Sequence, residues 1–474
     1  MPSPPRVLFP VTINFTLRYV LLTGLADRLA DAATPVLGLT WDAPELVDQL
    51  RAEGREAVLL PHPEPGPEAR RILALSKLDL DARLAGRTAR IDHRLLHLQR
   101  PWRVRARRRA SDELGRLRRR LPGAPPATRA QLADALEASG ALEPARAALD
   151  ELRIDAVCSI TPFVAQEAPV LVAAAERGLP LLASLLSFDN PTTRPPLPVA
   201  FDRYLVWNRG NGEELRRGDP TISPDRIGLT GPPQFDLYRD PANVAPRERW
   251  AAGLGIEPGA PTILFAAGPP AIAPHEGQYL DHLLEAVGGA LPADLLVVLR
   301  RHPHDRPDRW ARFVDHPSVR VDDPGPVGAG LRPGEAAIGR AEVVGLCSTL
   351  AHTDVHVSTS STMALDGAWF DKPQLCPTYD VVGGRRHRRH AADLYRREHY
   401  VPIVRSGGVE LPGSPSALVA AASAALAEPG RRREERRRML EELCTWTDGR
   451  STERLAAEVR AFLAGTGAPQ PSVP

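Results

Sequence analysis

Cysteine is scarce in this chain, and what there is has no pattern. Cys158, Cys347, Cys376 and Cys444 are widely scattered and no CxxC pair occurs. That argues against a zinc site or a disulfide framework and for a reduced, cytosolic protein. Lysine is also scarce, because nearly every basic position is arginine, a bias read as genomic base composition rather than function. No apolar run approaches the ~18 uninterrupted residues of a membrane-spanning helix. The opening MPSPPRVLFPVTINF has no basic stretch leading into a long apolar one, so no signal peptide is expected. Charge of one sign is missing too: 60 basic against 58 acidic residues give a formal charge of +2. A nucleic-acid role for the whole surface is therefore not suggested, and no DxD-type metal motif or short-period repeat is present.

What is there is a soluble globular composition, 43% apolar and 25% charged over 474 residues, long enough for two domains. Short apolar runs alternate with longer amphipathic stretches, the pattern of βα units and parallel sheets. RVLFPV, TPVLGLTW and EAVLLP read as strands of a first doubly wound domain, with a loop from Thr12 to Arg18 after the first. Residues 66 to 150 read as a mostly helical, basic insertion broken at LPGAPPA. The rhythm returns with DAVCSI, LPLLASLL, FDRYLVWN and DRIGLTGPPQFD. The Pro- and Gly-punctuated stretch from Pro241 to Gly259 is the expected boundary. Beyond it TILFAAG, DLLVVLRRHPHD, VRVDDP, DVHVS and KPQLC read as strands of a second such domain. The expected division is an N-terminal domain 1–240, a C-terminal domain 241–440, closing helices 441–465 that cross back, and a frayed tail 466–474.

Ligands in doubly wound sheets bind at the carboxyl ends of the strands, so the loops there are the candidates. In DVHVSTSSTMALDGAWFDKP, the hydroxyls of Ser358, Ser360, Ser361 and Thr362 gather where a strand turns into a helix start, a setting suited to phosphate oxygens. Capping alone needs one such residue. Asp366, one turn on, can accept both hydroxyls of a ribose; the ordinary reading is an acidic residue in a first helical turn. In RRHPHD, Arg300, Arg301, His302 and His304 form a cationic turn. His302 can contact a phosphate or protonate a leaving group; a metal site with Asp305 is the rival, weakly supported by the spacing. Gly268 ends another strand and lets backbone approach a ligand, or is a plain turn. In SFDNPTTR, Asp189 can act as general base, or simply shape the turn before Asn190-Pro191. Asn14, Thr16 and Arg18 follow the first strand at the cleft edge and can hold an acceptor. The tract from Arg83 to Arg120, with Trp102 among its arginines, reads as a solvated face, a phosphate-rich acceptor site or a patch for anionic lipid headgroups. His399 and Tyr400 precede VPIV, read as a strand, and border the cleft.

Together SFDNPTT, YLVWN, TGPPQFD, RRHPHD and DVHVSTSSTMALDGAWFDKP resemble bacterial GT-B glycosyltransferases of surface-carbohydrate synthesis. These are similar in turn to CDP-glycerol glycerophosphotransferases and, more distantly, to non-hydrolysing UDP-sugar 2-epimerases. The resemblance spans Val7 to about Leu463 and is weakest across 66–150. It implies an α/β GT-B fold of two Rossmann-like domains, with the donor nucleotide held mainly by the second. Ser360, Ser361 and Thr362 fall where such proteins contact the diphosphate. Asp366 stands where many carry a ribose-binding Glu, and His302-Pro303 matches the His-Pro turn of the glycerophosphotransferases.

The expected function is transfer of a sugar from a nucleoside diphosphate sugar to a hydroxyl acceptor, lipid-linked or anionic, in surface polysaccharide or glycoconjugate synthesis. No cofactor or metal is expected. The setting is the cytoplasm, with peripheral membrane contact through Arg83–Arg120 and no specific nucleic acid. The alternatives are a CDP-glycerol-type glycerophosphotransferase, a UDP-sugar 2-epimerase and a non-catalytic GT-B binding scaffold.

Overall fold

Strands such as Thr262–Ala266 and Val355–Ser358 are buried along their whole length, as parallel strands covered by helices on both faces must be. The computed structural model describes residues 3–465 except 92–102, 104–127, 324–338, 381–389 and single positions at 63, 85, 89, 271, 304 and 306. Most of the arginine tract from 83 to 120, and His304, thus lie outside the described residues.

Seven strands form the first sheet: β1 (Arg6–Val11), β2 (Thr34–Leu39), β3 (Glu56–Leu59), β4 (Ala156–Ser159), β5 (Leu181–Ser184), β6 (Arg203–Val206) and β7 (Ile227–Leu229). Their order is β3-β2-β1-β4-β5-β6-β7, and every pairing is parallel. Six more form the second: β8 (Thr262–Ala266), β9 (Leu296–Arg300), β10 (Val319–Val321), β11 (Val355–Ser358), β12 (Gln374–Leu375) and β13 (Val409–Glu410). Its order, β10-β9-β8-β11-β12-β13, is again all parallel. In each sheet the direction of winding reverses at the first strand of the domain, between β1 and β4 and between β8 and β11. Those two switch points open crevices at the carboxyl ends of the strands. The chain has the two-Rossmann-domain GT-B architecture.

An aromatic seam joins the lobes. Phe188 meets Trp207 (5.8 Å between ring centroids), Trp207 meets Phe235 (5.5 Å), and Phe235 meets both Tyr238 (5.2 Å) and Trp369 (5.3 Å). These rings share one core with Leu365, Tyr395, Tyr400 and Met439. The last helix, Ser451–Leu463, returns to the first sheet, burying Leu455, Ala456 and Val459 beside Val7 and Phe9. The Asp236 carboxylate accepts from the backbone N–H groups of Ser451 (3.0 Å) and Thr452 (2.6 Å) at its start. Arg203 pairs with Glu458 at 2.7 Å.

Three segments depart from the sequence reading. VPIV is a helix, Val401–Ser406, not a strand: Pro402 sits in the first turn, where its missing N–H is no loss, and Gly407 closes it at φ +76°. The segment after Thr12 is helical from Asn14 to Leu17 and continues as a π-helix from Arg18 to Leu22, rather than a loop. Arg340–His352 forms a thirteen-residue helix that the sequence reading passed over, although buried Val343, Cys347 and Leu350 keep the spacing of a helix face.

Candidate active site

The hydroxyl-rich turn follows β11. Ser358 ends the strand, buried beside the Cys376 thiol. Ser360 takes a left-handed φ of +45°, a conformation costly for a residue with a Cβ. It is held there from one side: its N–H donates to the Tyr395 phenol oxygen and its Oγ to the Leu394 carbonyl, each at 3.3 Å. Ser361 Oγ accepts from the Met363 N–H at 3.2 Å. Thr362 leads into the helix Met363–Trp369, is exposed, and makes no side-chain cap. Of the four hydroxyls, Thr362 is therefore the one turned to solvent at the helix start.

Asp366 is buried within that helix and accepts from the Tyr238 phenol, which arrives from the first lobe's segment Pro233–Tyr238. Burial raises its pKa to about 6, against the opposing pull of the Tyr238 hydrogen bond and the Arg18 charge. A ribose bound here would compete with Tyr238 for this carboxylate. Arg18 also comes from the first lobe, and the fold gathers Arg18, Tyr238, Asp366 and Cys347 at one place between the lobes. Arg18 is 5% exposed, its guanidinium lies 5.7 Å over the Phe15 ring, and its Nε has no hydrogen-bond partner. Thr16 Oγ1, fully buried nearby in sequence, has none either. Asn14 is fully buried in the same turn. Buried donors without a partner are costly.

At the end of β9, Arg300 is fixed by two carboxylates: it pairs with Asp322 at 2.7 Å and with Glu342. Arg301 pairs with Asp323. His302 lies half-buried in the following loop, its carbonyl accepting from the Asp305 N–H at 2.8 Å. The sequence reading missed what braces this loop. Arg309 donates to Asp305 (2.9 Å), to Glu276 (2.8 Å) and to the Gly268 carbonyl (2.9 Å), and Trp310 Nε1 donates to Asp305 at 2.6 Å. Glu276 also accepts from the Gly268 N–H at 2.8 Å, so Gly268 is gripped at both its polar groups. A Cβ there would make only ordinary contacts. Burial pushes Glu276 to about 8, although Arg309 and the Gly268 N–H both pull down, and its Oε2 has no hydrogen-bond partner. While it holds its proton, such a carboxyl can donate from the floor between β8 and β11.

Across the cleft, Asp189 leads the short helix Asn190–Thr193 after β5. Thr193 Oγ1 donates to its Oδ2 at 3.1 Å. Burial works to raise its pKa, but His399, Ser187, Arg194 and Thr193 together hold it below the usual value, so it is ionised. His399 comes from the second lobe, with Nδ1 3.3 Å from Thr192 Oγ1 and its ring edge-on to Phe188 at 6.1 Å. Residues 394–400 are thus shared: Leu394 and Tyr395 hold the hydroxyl turn, and His399 meets the Asp189 loop. Glu398 between them accepts from the backbone N–H groups of Arg87 and Thr88, at 2.7 Å for Thr88. Among the described residues no three His, Cys, Asp or Glu side chains cluster as metal ligands, and no helix is long and apolar enough to cross a membrane.

No family model and no curated protein sequence matches the chain. Solved structures do match its fold. A UDP-N-acetylglucosamine 2-epimerase superposes with a TM-score of 0.57 at 14% identity, covering 99% of both chains. The UDP-GlcNAc 2-epimerase of Neisseria meningitidis, solved bound to UDP-GlcNAc, gives 0.54 at 13%, over 97% of this chain and all of that one. A glycosyltransferase from Rickettsia africae gives 0.51 at 11%, over 98% and 99%. At these identities the likeness is one of fold: this is a GT-B-type chain along its whole length.

Proposed function

We propose that the protein transfers a sugar from a nucleoside diphosphate sugar to a hydroxyl acceptor. The observation that carries this reading is the shared segment 394–400. It fixes the strained hydroxyl turn at the end of β11 and sets His399 beside the ionised Asp189 of the opposite lobe. A donor diphosphate seated on Ser361, Thr362 and the helix start would have its leaving charge stabilised by aligned N–H groups. Glu276, in the floor between Gly268 and Thr359 and raised by burial to about 8, adds a donor while it holds its proton. His302 stands on the neighbouring loop as the leaving-group contact. Asp189, with His399 at its side, takes the proton from the acceptor hydroxyl as that oxygen attacks the anomeric carbon. Arg18 and Thr16, buried with unpartnered polar atoms, are donors held ready for the substrate between the lobes. The Neisseria meningitidis 2-epimerase, which shares this fold and was solved bound to UDP-GlcNAc, supports a nucleotide sugar as the donor class.

The products separate this from its rivals. Incubated with nucleotide sugars and acceptors, a sugar transferase releases nucleoside diphosphate only when acceptor is present. A glycerophosphotransferase releases CMP from CDP-glycerol. An epimerase converts UDP-GlcNAc with no net release. Acceptor-dependent release of UDP or dTDP is the expected result; CMP release or acceptor-free conversion of the sugar overturns the proposal.

A further inference from the structure

Part of the first lobe's basic insertion, at Arg87 to Ile91, touches the second lobe, and the two border an open cavity that the reaction above does not use. Its volume is about 470 Å³, and Arg87, Arg90 and Ile91 line it from one side, Asp393 and Arg396 from the other. That is within the size range of small-molecule sites. Arg396 reaches Asp393 at 3.3 Å, while Arg87 and Arg90 form no ion pair among the described residues. Among the described residues that line it, three guanidinium groups face a single carboxylate, an excess of positive charge that a solvated helix face has no reason to concentrate around a hollow.

The position of the hollow matters as much as its charge. One wall, Asp393 to Arg396, contains Leu394 and Tyr395, which hold Ser360 of the hydroxyl turn. The other wall is anchored to Glu398, adjacent to His399 and so to the Asp189 loop. The wall that Glu398 anchors is thus tied, one residue on, to the His399 contact with the Asp189 loop. Planar guanidinium forks match phosphate oxygens in pairs, and the Asp393 carboxylate can accept from a neighbouring hydroxyl.

We propose that this arginine-lined cavity is a second anion subsite, separate from the turn at Ser358–Thr362, which takes a phosphate ester carried by the acceptor. Its assignment to the acceptor rests on the transfer reaction proposed above; the capture of phosphate does not. The phosphate can belong to a soluble phosphorylated sugar or polyol, or to a lipid headgroup.

Titration of the full chain with inorganic phosphate tests the site directly. In an S361A/T362A background, which weakens the donor turn, one phosphate should still bind. Adding Arg87→Ala, Arg90→Ala and Arg396→Ala should weaken it roughly tenfold or more, since each charge-assisted bond lost is of that order. Arg→Lys at the same positions should leave an intermediate affinity, because charge survives but the fork does not. All three side chains are exposed, so the fold should persist, as far-ultraviolet circular dichroism can verify. No phosphate binding in the S361A/T362A chain overturns the proposal, as does equal binding after the arginines are removed. UDP affinity, measured in parallel, reports on the donor reading alone: its failure with phosphate binding intact sinks the transfer reaction but not the subsite. Cosedimentation with phosphatidylcholine vesicles, with and without phosphatidic acid, separates the sources. Arginine-dependent vesicle binding assigns the phosphate to a lipid, and phosphate binding without it assigns a soluble acceptor.

Discussion

Tyr238→Phe removes one hydroxyl and tests how the lobes are coupled at the donor site. The phenol donates to the buried Asp366 carboxylate, whose pKa burial has already raised to about 6. A hydrogen bond to a charged group contributes about 1.5–3 kcal/mol, and a buried acceptor left unpaired loses that and its solvation. The ring itself stays, stacked on Phe235, so packing is little changed. The phenol stabilises the ionised carboxylate, so its loss should raise the Asp366 pKa further. At pH 8, where Asp366 is ionised, the variant should be less stable by about 2–3 kcal/mol. At pH 5 the carboxyl is protonated and the loss should shrink to about 1 kcal/mol or less. Urea unfolding of wild type and variant at the two pH values measures both numbers. Equal losses at pH 5 and 8, or none at pH 8, would refute the assignment of Asp366 as an ionisable group held by Tyr238.

Other consequences are as specific. Asp189→Asn should lower turnover by a factor of about 10²–10⁴, the usual worth of a positioned base, with UDP affinity unchanged; loss of UDP affinity instead would move Asp189 to the donor side. At pH 5, where Asp366 holds its proton, Arg18→Met removes a buried cation whose Nε is unpartnered, so thermal stability should hold or rise while substrate binding weakens; a large drop in melting temperature would mean the guanidinium is structural. Glu276, Glu167 and Glu214 have folded pKa values raised by burial, to about 8, 7 and 7 from an ordinary 4.5. Their contribution to stability is full below the unfolded value and is lost as pH rises through the folded one. Each proton the fold holds after the unfolded chain has lost it costs ~1.4 kcal/mol per pH unit. Unfolding midpoints should accordingly fall between about pH 5 and 8 and level off above that, and Glu276→Gln should flatten that fall; a midpoint that rises across this range contradicts the burial argument.

The parallel sheets were legible because their strands are buried on both faces and read as unbroken apolar runs: RVLFPV and LLVVL have no other use for so many adjacent hydrophobic residues. VPIV was misread for the same reason, since a four-residue apolar run does not carry a period. Only Pro402 in a first turn and Gly407 at positive φ, seen together, mark it as a helix. The hydroxyl turn was visible as chemistry, but not the strain at Ser360 or its dependence on Leu394 and Tyr395, which lie over thirty residues away. Arg300 looked like a free cation from sequence, yet its two carboxylates come from β10's end and the overlooked helix Arg340–His352. Glu276 and Arg309 stand in no motif; their pairing joins the β8–β9 crossover to the β9–β10 connection. His399 was read as a cleft-edge residue, but no local pattern could reveal that it meets Asp189 from the other lobe.

Calorimetric titration of UDP into the wild-type chain and into S361A/T362A tests the central claim most directly. The account predicts binding of one UDP to the wild type and about tenfold weaker binding or more to the variant, with the fold of both intact. Unchanged affinity in the variant, or no binding of UDP, dTDP or CDP to the wild type, would contradict it.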